Sequence, residues 1–489
     1  GGVRLAVAMG AVLALLTRGF GIETMVEPWN PYVPLLWWLV TLLAVWSVVR
    51  DDLAMLPVAV MAGSIAAQTH VPYLGLVLGM GALAAGRIGL RVWRERRNRG
   101  EIARWTLGSL ALGLLLWTPV LLDQLTRSPG NLSMLRDHFL DPPESPVGLG
   151  TGLRLTALHL DVWRFVAGAR GATGSLVSAS SDPEGSIVPG LVVVALFVAS
   201  GIVAWRLAHR NLIMLHGVAA VGLALVAYSL SRIFGKLWYY LMLSAWTVSA
   251  LVLMAVTWTA FEAIRRRAAP QTARRMTTSV VGLLAATTIV SSLLYAGTAR
   301  HVEPPAPRLS ITLANVVPDT VNALLAEVGA ATGASGRYLI TWSDAFYIGS
   351  QGYGLVSELE REGFTVGVPE PWRVPVTPQR VMTATQATAR VHYATGGFIR
   401  AWRLRPDAIE VAAYDPRSPA EVREFDRLRG DVIDDLLAAG LTDVIDLVDG
   451  NLFGATLDPR LPEGTRKDME RMLYLGLPGA VFITAADSP

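Results

Sequence analysis

Cysteine is absent from the 489-residue sequence, which excludes disulfide bonds and cysteine-ligated metal sites. Charged residues are scarce at 17%, where soluble proteins usually carry about 25%. Only two of the 42 basic residues are lysine, Lys236 and Lys467, and the net charge of +3 is too small to indicate a nucleic-acid partner. Phosphate-cradling loops, zinc-ligand spacings and nucleophile elbows are also missing. No specific catalytic motif therefore identifies the chain.

Long apolar runs fill the sequence before Arg300, and ordinary mixed composition follows. A spanning helix needs about 20 mostly apolar residues, and in lipid such runs must be helical to satisfy their backbone. Nine runs are candidates, the first and third being short: 3–17, 33–49, 53–69, 72–90, 104–122, 188–207, 211–230, 237–261 and 277–298. We predict an α-helical polytopic membrane domain over 1–300, with a long external loop at 123–187. In that loop, 152–168 predicts an amphipathic helix, and the Gly- and Ser-rich stretch 171–186 predicts a connector.

Arginine predicts the orientation of these helices, because cytoplasmic loops carry an excess of basic residues. Clusters follow the fourth, sixth and eighth runs: Arg91, Arg94, Arg96, Arg97, Arg99, Arg206, Arg210, Arg265, Arg266, Arg267, Arg274 and Arg275. The loops between them are poor in arginine. This alternation predicts that the N-terminus lies inside and that everything after Arg300 lies outside the membrane.

The remainder, 301–489, has the pattern of a water-soluble α/β domain. Prolines form a stiff spacer at its start, and strand-like and helix-like segments then alternate. The predicted strands are 338–342, 364–368 and 409–414, and the predicted helices are 350–362 and 418–439. Asp344 and Asp415 follow strand ends, where α/β proteins often bind ligands, although turn chemistry also explains them. We expect a binding or scaffolding role for this domain.

Polar and aromatic residues gather in or beside the predicted external segments 18–32, 68–73, 123–187 and 231–236. Polar groups next to apolar spans are expensive to bury, so they are functional candidates by default. The candidates for substrate binding are Trp29, Asn30, Tyr32, Gln68, His70, Tyr73, Gln124, Asn131, Arg232, Lys236 and Tyr239. Two carboxylates, Asp123 and Glu27, are candidates for a catalytic base.

Plainer interpretations of these residues stay open. Trp29 fits an interfacial aromatic belt, and His70 fits a packed turn between two helices. Asp123 fits a simple solvated helix end, although a carboxylate there is unfavourable with the helix dipole, which favours a role in pairing Arg127 or binding a hydroxyl. Arg232 fits a side chain that extends to lipid headgroups.

The layout resembles the GT-C superfamily of polytopic glycosyltransferases, in an uncharacterised bacterial branch. The resemblance is carried by many short-looped helices, a polar outer rim and a C-terminal external domain. Its sequence pieces are Trp29–Tyr32, Gln68–Tyr73, Asp123–Gln124 and Pro129–Leu132. It implies a multi-pass protein of the bacterial plasma membrane. Such a protein moves a sugar from a polyprenyl-phosphate carrier to an extracytoplasmic lipid, glycan or protein acceptor.

The resemblance also implies roles for individual residues. A carboxylate would deprotonate the acceptor hydroxyl. Arg232 and Lys236 would hold the carrier phosphate as it leaves. His70 and Gln68 would contact phosphate or sugar, and Trp29 would pack on a sugar face. No cofactor is indicated, and a divalent cation has no support from any ligand spacing.

The catalytic acid of this family normally lies in the first external loop, often as an acidic pair. The segment 18–32 holds only the separated Glu23 and Glu27. Since the sequence begins with Gly1 rather than Met, we expect that the true base can lie upstream. Two other classes stay open: a transporter or flippase of lipid-linked or polar solutes, and a non-enzymatic envelope scaffold.

Overall fold

The computed structural model describes the following residues: 2–94, 99–167, 182–300, 302, 306–345 and 349–488. The structure is mostly helical, and its backbone divides into two compact units, Gly1–Val302 and Glu303–Pro489. The first unit is built of helices and the second contains a five-stranded sheet. Of the predicted connector 171–186, residues 171–181 lie outside the described residues.

Membrane-length helices make up most of the first unit. Among the described residues, seven are long and apolar enough to span: Gly2–Phe20, Pro72–Arg94, Arg99–Thr126, Val188–Arg206, Arg210–Ser231, Ser244–Arg267 and Pro270–Ala299. Two further apolar helices, Pro34–Val49 and Leu53–Thr69, are shorter. The prediction of nine runs therefore yields seven helices of spanning length. The run 3–17 was expected to be short but belongs to a helix of 19 residues.

Proline and a tight turn mark where the two shorter helices begin and where the first of them ends. Pro34 lies in the first turn of one helix and Pro57 in the first turn of the other, where a missing N–H costs nothing. Between them, Asp51 adopts a positive φ of 77° and closes the turn. Burial is concentrated in the helix Pro34–Val49, whose Leu35, Trp38 and Leu42 are fully buried. This short helix therefore forms the centre of the first unit's core.

The predicted amphipathic helix 152–168 is divided in two. The structure has one helix at Gly148–His159 and another at Val162–Ala167. The division occurs because an Asp161 carboxylate oxygen accepts a hydrogen bond from Trp163 N at 2.9 Å, which begins the second helix.

The second unit contains a mixed sheet in the order β2-β1-β3-β5-β4. Its strands are β1 (Arg337–Ser343), β2 (Thr365–Gly367), β3 (Ala389–Thr395), β4 (Ile409–Tyr414) and β5 (Gly479–Ala485). β1 pairs in parallel with β2 and β3, whereas β5 runs antiparallel to β3 and β4. The predicted strands β1, β2 and β4 are confirmed, but the prediction omitted β3 and β5.

Helices surround this sheet and form a second core beside it. They are Pro307–Leu325, Ser350–Arg361, Pro419–Ala438, Thr442–Gly450, Leu452–Thr456 and Glu463–Leu475, with a short turn of helix at Phe398–Arg403. The predicted helix 418–439 is confirmed, and Ser418 caps it. Its backbone N–H donates to a Glu421 carboxylate oxygen at 2.7 Å, and its Oγ accepts from Glu421 N at 3.3 Å.

Candidate binding site at the aromatic end of the helices

The helices of the first unit carry different residues at their two ends. The helix Pro34–Val49 has Trp38 near its start and is followed by Arg50. The helix Pro72–Arg94 has Tyr73 in its first turn and ends on an arginine. The Trp38 and Tyr73 rings are in contact, with centroids 6.2 Å apart, so these two helix starts lie together. We call this the aromatic end and the opposite one the arginine end.

The arginine end is held by ion pairs. The Asp51 carboxylate pairs with Arg87 at 2.7 Å and also with Arg210, and Arg50 Nε donates to Asn211 Oδ1 at 2.8 Å. Partial burial opposes ionisation of Asp51, but the hydrogen bonds from the two arginines outweigh it, so the pKa of Asp51 lies below its usual value. These contacts join the ends of three helices.

At the aromatic end, a group of rings from four chain segments comes together. We call it the aromatic cluster, and its members are Trp29, Tyr32, Trp38, His70, Tyr73, Trp238, Tyr239 and Tyr240. Its outer part is centred on Trp29, whose ring centroid lies 5.0 Å from Tyr32 and 4.8 Å from Tyr240. The Tyr32 and Tyr239 hydroxyls hydrogen-bond to each other. Five of the predicted binding residues are therefore brought together.

The outer part is positioned by a compact turn. Tyr32 N donates to Trp29 O at 2.9 Å, and the helix Pro34–Val49 begins directly after it. Trp29 keeps 40% of its surface exposed, whereas Tyr32 keeps only 6%. Asn30, another predicted binding residue, is exposed in the same turn. Trp29 and Asn30 can therefore be reached from solvent, while Tyr32 supports them from below.

The inner part of the aromatic cluster is buried and polar. His70 lies 6.3 Å from Tyr240 and 6.1 Å from Tyr73, measured between ring centroids. Within the part of the chain that the structure describes, Trp38 Nε1, His70 Nδ1 and Tyr73 Oη have no hydrogen-bond partner. A buried polar group without a hydrogen-bond partner destabilises the fold by about 1–3 kcal/mol. Three such groups on side chains whose rings are in contact are therefore unusual.

Basic side chains lie on aromatic faces at the turn after the helix Arg210–Ser231. The Lys236 ammonium lies 5.0 Å from the Trp238 ring centroid, and Trp238 stacks on Tyr240 at 6.1 Å. The Arg232 guanidinium lies 5.3 Å from the Phe234 ring centroid. Lys236 is thus connected to the aromatic cluster, and Arg232 occupies a neighbouring ring group on the same turn.

An open depression of about 520 Å³ lies beside Tyr32. Its lining is mostly apolar, and Glu27 is the single acidic residue in it. Thr24 and Trp37 contribute further parts of the wall. Of the two predicted carboxylates, Glu27 is therefore the one next to the aromatic cluster.

The other predicted carboxylate, Asp123, belongs to a structural contact. It accepts from Asn131 N at 2.9 Å and pairs with Arg127 at 2.9 Å, one of the two roles that the sequence left open for it. Gln124 hydrogen-bonds to Ser133 through both its amide nitrogen and its amide oxygen. These contacts cap the helix Asn131–Leu140, which begins at Asn131. They engage the Asp123 carboxylate, the Gln124 amide and the backbone N–H of Asn131.

Gln68 is also occupied by the fold. Its amide nitrogen donates to the Leu116 backbone carbonyl at 3.2 Å and so ties the end of one helix to a neighbouring one. In the second unit, Asp344 accepts from Gly349 N at 2.8 Å and from Thr395 Oγ1 at 3.0 Å. Asp415 pairs with Arg417 at 2.9 Å. Both aspartates therefore take part in turn contacts.

One residue of the aromatic cluster and one buried histidine elsewhere in the first unit were missed in the sequence. Trp38 is hidden within an apolar run, and only its place near a helix start distinguishes it from the other tryptophans there. His159 is 1% exposed, packs on Trp246 with ring centroids 4.8 Å apart, and donates through Nδ1 to Leu155 O. It lies in a helix whose pattern predicted a surface position.

Metal binding finds no ready site. Among the residues that the structure describes, no group of three or more His, Asp or Glu side chains is placed to hold an ion.

Comparisons with protein-family models, with curated proteins and with solved structures found no match to this chain. Its class follows from the fold: the helices are those of a multi-pass membrane protein, accompanied by a second unit with a mixed sheet.

Proposed function

We propose that this chain is a membrane glycosyltransferase that moves a sugar from a polyprenyl-phosphate carrier to an extracytoplasmic lipid, glycan or protein acceptor. The observation that carries the proposal is the convergence of Trp29, Tyr32, His70, Tyr73 and Tyr239 at one end of the helices. Small-molecule sites combine aromatic walls with a few placed polar groups, and this cluster has both. It also lies where the ends of apolar helices would meet a lipid carrier.

The aromatic end is proposed to face the outside of the bacterial plasma membrane. Basic residues favour the cytosolic side, and the arginine end collects Arg50, Arg87 and Arg210 in direct contacts. Tyrosine and tryptophan are enriched at membrane–water interfaces, which suits the opposite end. In this orientation the second unit is extracytoplasmic, and we propose for it a binding or scaffolding role towards the acceptor.

Arg232 and Lys236 supply the positive charge in this mechanism. A carrier phosphate gains negative charge as the sugar leaves, and cationic donors stabilise that charge. Both side chains are already held over aromatic rings, so little rotational freedom is lost on binding. The flat guanidinium of Arg232 can donate two parallel hydrogen bonds to phosphate oxygens.

Glu27 is the proposed base, because Asp123 is engaged in capping a helix. A base must come within hydrogen-bond reach of the acceptor hydroxyl. Glu27 lines an open depression beside Tyr32, where an acceptor can enter. Trp29, with 40% of its surface exposed, offers a face for a sugar ring.

The test is sugar transfer by the purified full chain in lipid vesicles, with a panel of radiolabelled polyprenyl-phosphate sugars. We expect Arg232→Ala to lower the transfer rate about 100-fold or more, because it removes charge stabilisation in the transition state. Arg232→Lys should recover part of the rate. The matched control is Arg136→Ala, since Arg136 is exposed and pairs only with its neighbour Asp137 among the described residues.

Two results would contradict the proposal. One is the absence of transfer by the unmodified chain across the whole panel. The other is undiminished transfer by Arg232→Ala while it remains folded. Glu27→Gln should also lose transfer, whereas Asp123→Asn should retain it, because Asn can still accept the hydrogen bond from Asn131 N.

A further inference from the structure

The buried part of the aromatic cluster has hydrogen-bonding capacity that its own fold leaves unused. Trp38, His70 and Tyr73 are 0%, 7% and 3% exposed. Among the described residues, their atoms Nε1, Nδ1 and Oη find no partner. The neighbouring Gln68 does have a partner, because its amide nitrogen donates to Leu116 O at 3.2 Å. Three adjoining groups without partners indicate that an external polar group completes them.

The chemistry of the three atoms selects that group. The indole N–H of Trp38 can only donate, the Tyr73 hydroxyl can donate or accept, and the His70 ring accepts through Nδ1 when its proton is on Nε2. An oxygen that both donates and accepts matches this set. A hydroxyl can donate to Nδ1 while it accepts from the indole or the phenol.

The charge of the surroundings shows which occupant fits this position better, a neutral hydroxyl or a phosphate anion. Burial alone lowers the pKa of His70 to about 4, and no charged side chain contributes to the change. His70 is therefore neutral at neutral pH, and among the described residues no charged side chain shifts its pKa. A phosphate anion placed here would be buried without a counter-charge, which is strongly unfavourable. A neutral hydroxyl carries no such penalty.

We propose that Trp38, His70 and Tyr73 form a subsite for a hydroxyl group of the transferred sugar. The proposal rests on the proposed function and deepens it, because it assigns His70 to the sugar and leaves the phosphate to Arg232 and Lys236. The subsite in the inner part of the aromatic cluster recognises the sugar by hydrogen bonding, while Trp29 in the outer part remains available for the face of the sugar ring.

The test measures binding of free monosaccharides to the purified full chain in a detergent without a sugar headgroup. The readout is the thermal unfolding midpoint over a panel of hexoses, pentoses and N-acetylhexosamines, with inorganic phosphate in parallel. We expect at least one sugar to raise the midpoint of the unmodified chain. Tyr73→Phe should weaken that sugar's apparent affinity about tenfold, the upper range for one lost hydrogen bond.

The matched control is Tyr228→Phe, because Tyr228 is 64% exposed and takes no part in the aromatic cluster. It should leave the sugar effect unchanged. Tyr73→Phe should not lower the midpoint of the ligand-free chain, since its hydroxyl has no partner to lose. Phosphate should act equally on the unmodified chain and on Tyr73→Phe.

The subsite is refuted if no sugar in the panel raises the midpoint, or if Tyr73→Phe keeps the full effect, as it would if only an ordered water filled the site. Refutation of the proposed function has a different signature. Sugar binding that depends on Tyr73, in a chain without transfer activity, would retain the subsite and remove the enzyme. If transfer depends on Arg232 but Tyr73→Phe leaves sugar binding unchanged, the enzyme proposal would be retained and the subsite rejected.

Discussion

The arginine end and the aromatic end belong to the same helices but are built in opposite ways. At the arginine end, the Asp51 carboxylate forms ion pairs with Arg87 and Arg210, so opposite charges are paired within the fold. At the aromatic end, polar atoms of His70 and Tyr73 are buried without partners among the described residues. The first arrangement stabilises the bundle. The second costs stability, and such a cost is typical of a site that a ligand completes.

The largest effect on stability should come from breaking the arginine end. Asp51→Ala leaves Arg87 and Arg210 without their shared carboxylate, and we expect a loss of about 3 kcal/mol, the lower range for breaking a partly buried pair. The measurement is chemical or thermal unfolding of the purified chain in detergent. A loss below about 0.5 kcal/mol, the scale of a surface substitution, would mean that this end is not held by its ion pairs.

A smaller loss of stability is expected at the aromatic end when the pH is lowered, because His70 is buried there. The pKa of His70 is lowered to about 4 by burial, so the folded state resists the proton that the unfolded state accepts near its ordinary pKa of about 6.5. The contribution of neutral His70 is complete above pH 6.5 and is lost as pH falls towards 4. At pH 5 the loss should be about 2 kcal/mol.

The measurement for His70 compares unfolding at pH 7.5 and pH 5.0 in the unmodified chain and in His70→Gln. The variant should show a weaker pH dependence, because it removes one suppressed proton site. Other histidines contribute equally to both chains and cancel. Identical pH dependence in the two chains would show that His70 titrates as it does in water.

The smallest effect tests whether all polar residues near the aromatic end are functional. Asp123→Ala removes the acceptor for Asn131 N and the partner of Arg127, so we expect a loss of about 1 kcal/mol, typical of a helix cap. Sugar transfer per folded molecule should be unchanged. If the transfer rate falls while the unfolding free energy is unchanged, Asp123 would belong to the catalytic or binding site and would not be only a helix-capping residue.

The sequence predicted most of the first unit because hydropathy and loop arginines act locally. Runs such as 72–90 and 211–230 became helices with nearly the predicted bounds. Length was harder, since 33–49 and 53–69 are apolar enough to span but form helices too short by the usual measure. The positive φ of Asp51 that separates them has no strong signal in a turn of two aspartates and one arginine.

The candidate site was predicted in part, because its residues come from turns that the sequence marks with proline and aromatic side chains. Their contacts were not predictable, since the hydroxyl pair of Tyr32 and Tyr239 joins positions 207 residues apart. The contacts of Asp123 were predicted only in part: its conflict with the helix dipole is resolved by Arg127 and also by Asn131 N. The contact with Asn131 N forms only because the chain reverses direction before the helix Asn131–Leu140.

The missed strands have a similar cause. β3 and β5 lie in the middle of the sheet, and almost every residue in them is buried. A strand covered on both faces lacks the alternation of apolar and polar residues that identifies an edge or half-exposed strand.

The most direct test of the account asks which side of the membrane each end faces. Because the chain has no cysteine, single substitutions can be labelled without background. Asn30→Cys reports on the aromatic end. Gln271→Cys reports on the arginine end, because Gln271 follows the helix Ser244–Arg267, whose Arg266 donates to Leu207 O just before Arg210. Both positions are exposed. In intact cells, a membrane-impermeant maleimide should label Asn30→Cys and should reach Gln271→Cys only after permeabilisation. Labelling of Gln271→Cys in intact cells, with Asn30→Cys protected, would contradict the account.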